Sequence, residues 1–174
     1  MTRTAYLDDN RAIGAKLIGR RIRSALRLLN SEPDEHVRLE WGPVLVEMDD
    51  GAFYLIDCEE SKSNVILFEL PNDGGRFRDM LARRVIRPSV VTNNPNDPLR
   101  FTLDEPIARI DVVSRAPTDD QGADWFEMCG LRLGFPGGAS VVIGTHLTTS
   151  MIPSTSFMLS DEVDPALRYS PLRP

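Results

Sequence analysis

The sequence predicts an α+β protein that is mainly β, with an antiparallel sheet or sandwich built from two similar hairpin-containing halves and with one or two helices. Three observations lead to this prediction. Short apolar runs alternate with clusters of turn residues, two pairs of runs are joined by tight glycine turns, and the two resulting hairpins align with each other. The length of 174 residues fits a single domain, residues 1–174, because it is sufficient to close one hydrophobic core.

The N-terminal part predicts a short helix followed by a segment of ambiguous pattern. Asp9 or Asn10 is a suitable N-cap, and Gly19 fits the position just past the end of a helix, where a positive φ is needed. Residues 20–29 fit two structures, because their apolar side chains recur at helical spacing and equally at strand spacing. The local pattern leaves both structures open.

The clearest local prediction is a β-hairpin. Two apolar runs, 44–48 and 52–56, flank the turn sequence Asp-Asp-Gly at 49–51. Asp-Gly between apolar runs is a strong hairpin signal and predicts a type I′ turn, with positive φ at both central residues. A third apolar run, 65–70, predicts a buried strand.

The rest of the chain alternates between predicted strands and loops. Residues 76–84 predict a short helix, with Phe77, Met80 and Leu81 on one side. Residues 85–99 contain three prolines and three asparagines and predict a loop. Further strands are predicted near Phe101 and at 107–113, 131–135, 140–143 and 156–159, with a tight turn at 136–138 and a frayed end at 170–174.

The two hairpins predict an internal repeat of residues 20–57 in residues 105–144. Aligning Gly51 with Gly138 places the apolar residues of one hairpin on those of the other at an offset of 87. Upstream, an isoleucine and a tryptophan of each half align at offsets of 85 and 84. The repeat would make residues 22–28 a strand, because their counterpart is rich in β-branched residues and follows a proline.

Charge is distributed unevenly along the chain. The formal net charge is −6 and the pI is near 5.0, but residues 32–60 carry ten acids against one arginine, whereas the first 30 residues carry a net charge of +5. An acidic surface favours a basic protein partner and disfavours nucleic acid. We expect the basic runs to pair with some of these acids within the fold.

The sequence contains no pattern that points to a membrane, a secretory route or a metal. No run approaches the roughly 20 apolar residues of a spanning helix, and the N-terminus lacks an apolar signal core. The two cysteines, Cys58 and Cys129, belong to no metal or redox motif. We therefore expect a cytoplasmic protein with reduced thiols, no membrane partner and no bound metal.

No catalytic or nucleotide-binding motif is present either. The glycine-rich turn at 134–138 is followed by a strand and lacks the helix that a phosphate loop requires. No nucleophile elbow accompanies the serines, and His146 at a strand end is typical of a structural histidine. We expect no catalytic residue and no cofactor.

The segments GLRLGFPGGASVVIG (130–144) and PVLVEMDDGAFYLI (43–56) resemble hairpins of small bacterial immunity proteins from polymorphic-toxin and contact-dependent inhibition systems. The resemblance covers about a third of the chain. It implies a non-enzymatic, cytoplasmic protein that neutralises a cognate toxin by direct binding, with no catalytic residues of its own. A basic toxin domain would be the partner.

The predicted partner surface combines acids that steer a basic protein with two aromatic anchors. The acids belong to the first hairpin turn, the corner after the second strand and a loop in the second half. Core packing is the alternative for both aromatic residues. The predicted surface residues are Asp49, Asp50, Tyr54, Asp57, Glu59, Glu60, Asp119, Asp120 and Trp125.

Two other classes of function fit the sequence. One is a small β-rich enzyme or ligand-binding domain with a pocket between the halves, which would use Asp57, Glu59 or His146 as polar groups. The other is a homodimeric structural or assembly protein that pairs through an exposed strand edge. The sequence leaves the oligomeric state open.

Overall fold

A computed structural model describes residues 3–29, 43–59, 64–70, 87–90, 100, 103–116, 128–149 and 155–172. The elements are α1 (Arg3–Leu17), β1 (Ile22–Leu29), β2 (Val44–Met48), β3 (Phe53–Glu59), β4 (Asn64–Leu70), β5 (Arg87–Val90), β6 (Arg109–Ser114), β7 (Gly130–Gly134), β8 (Ser140–Gly144), β9 (Ser156–Leu159) and β10 (Arg168–Pro171). They form two antiparallel five-stranded sheets, ordered β4-β3-β2-β1-β5 and β10-β6-β7-β8-β9. The predicted fold class, mainly β with helix, is confirmed.

The two sheets pack face to face and share one hydrophobic core. The first sheet contributes Val46 and Ile56, and the second contributes Leu133, Ile143 and Phe157, all at most 2% exposed. Removing one apolar face of each sheet from water is the main stabilising contribution in this arrangement. The fold is therefore a β-sandwich, which is one of the two arrangements that the sequence predicts.

Helix α1 contacts the outer edge of β4 through hydrogen bonds of Asn10. The side chain of Asn10, only 1% exposed, accepts a hydrogen bond from the Leu67 N–H at 2.9 Å and donates one to the Met128 sulfur at 3.6 Å. The predicted N-cap is wrong, because α1 begins at Arg3 and Asn10 is used for a contact between elements. Gly19 has the expected positive φ, 82°.

Residues 22–29 form a strand, which resolves the ambiguity of this segment. β1 is hydrogen-bonded to β2 on one side and to β5 on the other. The register shifts between Ile22 and Ser24, so that Arg23 forms a bulge. After the bulge, Ala25 lies in the core and Leu26 lies on the opposite face.

Both hairpin turns are three-residue loops, and the predicted type I′ turn is wrong. In the first, the N–H of Met48 donates to Ala52 O at 2.9 Å, and the N–H of Gly51 donates to Met48 O at 3.0 Å. Phe135 and Ala139 frame the second loop in the same way. Only the last loop residue, a glycine, has a positive φ, which is the pattern of a type I turn with a glycine bulge.

Two segments predicted as irregular contain strands. Residues 87–90, within the predicted loop 85–99, form β5, and residues 170–171, within the predicted frayed end, belong to β10. Both are edge strands that contain a proline. An edge strand tolerates proline because one side of its backbone needs no partner. The predicted helix 76–84 and the strand near Phe101 lie outside the described residues.

The two sheets have the same strand order and the same register. Starting from β4 and from β9, the first sheet corresponds strand by strand to β9-β8-β7-β6-β10. Four cross-strand pairs show the common register: Val44–Ile56 corresponds to Leu131–Ile143, and Ile56–Leu67 corresponds to Ile143–Phe157. Likewise, Ala25–Val46 corresponds to Ile110–Leu133, and Leu26–Val90 corresponds to Asp111–Pro171. The segments before β1 and β6 meet in a bridge between Arg21 and Pro106. Duplication of a half-length unit would produce this arrangement; the duplication itself stays a prediction.

We predict that Gly138→Ala lowers the free energy of unfolding by about 1–2 kcal/mol, because an alanine at φ 85° enters the left-handed region. Gly137→Ala is the matched control, since Gly137 lies in the same turn outside that region and a Cβ there meets no atom within 4 Å. Urea titration of both variants measures the difference. Equal losses in the two variants would contradict this account of the turn.

Candidate functional site

Strand direction sorts the connections of the sandwich between its two ends. β1, β3, β6 and β8 finish at one end, where β2, β4, β7 and β9 begin. The two sheets meet at this end, because the hydroxyl of Thr155, just before β9, donates to Asp57 Oδ1 at 3.4 Å. We call this the acidic end, for the sequences that it carries.

Three of the connections that start from strands at the acidic end are rich in acids. Segments 30–42, 57–63 and 117–127 together carry eleven Asp or Glu residues against one arginine and one lysine. The fourth connection, between β8 and β9, contains no acid or base other than His146. A cluster of like charges at one end of a molecule produces a directional field that attracts a partner of opposite charge.

The predicted surface residues are divided between the two ends. Asp57 lies at the acidic end, half-buried, and Glu59 is the last residue of β3 at the same end. Glu60, Asp119, Asp120 and Trp125 lie outside the described residues, in connections whose flanking strands end or begin there. Asp49 and Asp50 lie at the opposite end, in the turn between β2 and β3.

The turn at 49–51 is held by interactions within the fold. Asp50 Oδ2 lies 2.8 Å from Arg20 Nη1, and its Oδ1 accepts a hydrogen bond from the Ala52 N–H at 3.1 Å. The N–H of Asp49 donates to Arg21 O at 2.9 Å. The basic N-terminal segment therefore pairs with one of the predicted acids, which reduces the charge that this turn presents to a partner.

Tyr54 packs in the core instead of standing on the surface. Its side chain is 4% exposed and belongs to the cluster shared by the two sheets. Burial, followed by the charge of Glu69, raises the pKa of the Tyr54 hydroxyl. Glu69 is paired with Lys16 of α1 at 2.5 Å. Tyr54 therefore occupies the core, which is the alternative that the sequence left open for it, and not the surface position of a binding anchor.

A buried ion pair anchors the connections of the second sheet at the acidic end. Arg115 Nη1 donates to Asp164 Oδ2 at 2.7 Å, and both side chains are 8% exposed. The same guanidinium donates to His146 O at 2.8 Å and to Thr148 O at 3.1 Å. Arg115 thus fastens the β8–β9 connection to the segment before β10. No sequence motif marks either residue of the pair, because they are 49 positions apart.

The ionisable groups around this pair are adapted to structural roles. The Ala166 N–H and the Arg115 guanidinium hold the pKa of Asp164 below its ordinary value. Burial and the nearby Arg115 charge lower the pKa of His146, which favours the uncharged form of its side chain. Burial raises the pKa of the Cys129 thiol to about 12, and the thiol donates to Val113 O at 3.4 Å.

Three of the sheet edges carry features that block pairing with another strand. Asn10 of α1 accepts from the outward N–H of Leu67 in β4, and Glu162 accepts from the Leu159 N–H of β9 at 3.1 Å. In β10, Pro171 has no N–H, and its backbone faces away from β6 because the next residue, Leu172, donates to Ile110 O. Such features disfavour association through edges.

The geometry of the described residues defines a class, an antiparallel β-sandwich of two five-stranded sheets. Among the described residues, no three side chains of His, Cys, Asp or Glu are grouped to hold a metal ion. Within the same residues, no helix combines the length and the apolar character needed to span a bilayer. Compared with protein-family models, curated proteins and solved structures, the chain matches none.

We predict that the free energy of unfolding falls in two separate pH ranges as the solution is acidified. Between pH 6.5 and the lower pKa that His146 has in the fold, stability falls because the unfolded chain binds the proton more readily. Below pH 3.8, stability falls again as Asp164 is protonated through its lowered folded pKa. Stability measured by urea titration from pH 8 to pH 2 should show both.

Matched variants assign each step. His146→Asn, which tolerates the left-handed backbone at this position, should flatten only the first step, and Asp164→Asn should flatten only the second. An unchanged pH profile in both variants would mean that other groups control acid unfolding.

We predict that the Cys129 thiol does not react with iodoacetamide at pH 8 in the folded protein, because the thiolate is negligible when the pKa is about 12. The measurement uses a Cys58→Ser variant, in which Cys129 is the single cysteine, and counts carbamidomethyl groups by intact mass. The same sample in guanidinium should react fully. Rapid labelling of the folded protein would contradict the buried position of the thiol.

Proposed function

We propose that this chain is a non-enzymatic binding protein that takes a basic protein domain at its acidic end, and that it acts in the cytoplasm as the immunity protein of a bacterial toxin. The observation that carries the proposal is the convergence of acidic connections at one end of the sandwich. Asp57 and Glu59 lie there, and the segments with Glu60, Asp119 and Asp120 connect strands that end or begin there.

The strand order supports a single binding surface. The contact between Thr155 and Asp57 joins the ends of the two sheets, so the strands that flank the acidic segments finish or begin at one end of the molecule. Steering of a basic partner by such a field raises the association rate by a factor of 10 to 10³. The Asp49–Asp50 turn, at the opposite end and paired with Arg20, contributes little to this surface.

Hydrogen bonds of Arg115 join two described segments beside the proposed binding surface. The ion pair of Arg115 with Asp164 holds the connections under the acidic end, and the guanidinium ties down two main-chain carbonyls of the β8–β9 connection. Segments that are already fixed by such contacts lose less conformational entropy when a partner touches them. The toxin-neutralising role follows the resemblance of the two hairpins to immunity proteins and extends the charge argument to a particular partner.

The other two classes receive less support from the same residues. His146, a polar group for the enzyme or ligand-binding class, is buried and held near Arg115 with a lowered pKa. For the homodimer class, the described edges of β4, β9 and β10 carry Asn10, Glu162 and Pro171.

The proposal requires a basic toxin domain encoded beside the gene, and we predict that Asp119→Lys with Asp120→Lys slows association with that domain by about tenfold or more. The matched control is Glu105→Lys with Asp161→Lys, two exposed acids at the opposite end that produce the same change in net charge. Stopped-flow association at 0.15 M and 1 M salt separates the effects, because the Debye length shortens from about 8 Å to about 3 Å.

Growth tests then examine neutralisation. Cells that produce the toxin domain should survive with the wild-type protein and with the control variant, and should lose protection with the variant of Asp119 and Asp120. Failure of the wild-type protein to bind or to protect would refute the toxin-neutralising role. Equal effects of the two variants on the association rate would refute the acidic end as the binding surface.

A further inference from the structure

The outer face of the first sheet is apolar. Leu45, 3% exposed, is surrounded on this face by four half-buried side chains, Leu26, Phe53, Leu55 and Leu70. These residues point away from the core, because the alternate residues of the same strands, among them Ala25, Tyr54 and Ile56, belong to the core. An apolar face of this extent is normally covered.

The strand ends indicate which segment covers the face. β4 ends at Leu70, which pairs with Phe53 beside the hairpin turn, whereas β5 begins at Arg87, which pairs with Leu29 at the acidic end. β4 and β5 are the two edges of the sheet. Residues 71–86 therefore connect opposite corners of the first sheet.

The inner face does not offer a route between these corners, because it packs against the second sheet. The sheet is about 19 Å wide, from four strand spacings, and a five-residue strand is about 17 Å long. The diagonal is thus roughly 25 Å. Sixteen residues can extend to about 50 Å, so the segment reaches across the outer face with length to spare.

The second sheet provides the corresponding arrangement. Its connection from β9 to β10 runs over the outer face, where Val163 and Leu167 pack in one cluster with Val113 and Val142. Val142 occupies the register position that Leu55 occupies in the first sheet.

We infer that the outer face of the first sheet is a docking surface for residues 71–86 of the same chain, and that Phe77, Met80 and Leu81 supply the apolar contacts. In this proposal the outer face of the first sheet binds a segment of its own chain and not a second copy of the chain or another protein. This inference concerns a surface other than the acidic end and does not depend on the proposed function.

Photo-crosslinking identifies the occupant directly. Benzoylphenylalanine at position 55 in the full-length protein should crosslink within one chain to a peptide from 71–86, at monomer mass. The same probe at Met158, which packs beside Val163 on the other outer face, should crosslink to 160–167 and serves as the positive control. A crosslinked dimer from position 55 would assign the face to a second copy, and no crosslink from position 55 with an active control would leave it to another partner; either result overturns the inference.

A double-mutant cycle tests the contact by energy. Leu55→Ala and Met80→Ala should be coupled by more than about twofold in the unfolding equilibrium constant, because substitutions at residues in contact are not additive. Met158→Ala combined with Met80→Ala is the control pair, which should be additive since Met158 lies in the second sheet, away from the face where we propose that residues 71–86 dock. Additivity in both pairs would contradict docking. The Asp119→Lys, Asp120→Lys variant should leave the coupling unchanged, so the two proposals can fail separately.

Discussion

The rest of the structure depends on the burial of one face from each sheet in a common core. Strands that alternate between a core face and an outer face must keep their register, because a slip of one residue would move every core side chain outward. The core residues of β2 and β3, including Val46 and Ile56, are matched by Leu133 and Ile143 of β7 and β8. Once this register is set, antiparallel connectivity places each hairpin connection at one of two ends, and only the β4–β5 and β9–β10 connections run from one end to the other.

The two sheets use one backbone pattern with different chemistry on their outer faces. The cross-strand pair Leu26–Leu45 of the first sheet corresponds to Asp111–Arg132 of the second. Arg132 donates to the buried Asp111 and stacks on the ring of Tyr169, 4.0 Å from its centroid. A buried ion pair contributes little net stability compared with apolar side chains, but losing one partner is costly. The Asp111–Arg132 pair therefore suits the outer face of the second sheet, where Arg132 remains partly exposed to water.

The surfaces of the sandwich differ in what they offer to a partner. The edges of β4, β9 and β10 are occupied by Asn10, Glu162 and Pro171, and the outer face of the second sheet is covered in part by residues 160–167. Segments 30–42, 57–63 and 117–127, which carry eleven of the 26 Asp and Glu residues, lie at or after the ends of strands that finish at the acidic end. The described edges and the covered face therefore leave fewer surfaces for the proposed partner than the strand ends do.

Local sequence determined the elements that have a local cause. The hairpins around Gly51 and Gly138 were predictable because a tight turn between apolar runs requires a residue with positive φ, although the turn type was not. The acidity of residues 32–60 was equally visible in the sequence. The charge of a segment does not depend on its fold, whereas its place on the surface does.

The tertiary structure alone decided which of these features come together. Residues 22–29 form a strand because β2 and β5 supply hydrogen bonds on both sides. Asn10 does not cap the helix, because its side chain accepts a hydrogen bond from the Leu67 N–H. Pairing of Arg115 with Asp164 arises only when β6 and the segment before β10 are adjacent. The sequence by itself therefore determined the two hairpins with their glycine turns and the charge of each segment, but not the edge strands β5 and β10 or the turn type. Tertiary structure decided which ends and faces they share, because contacts between distant residues depend on register and burial and not on local pattern.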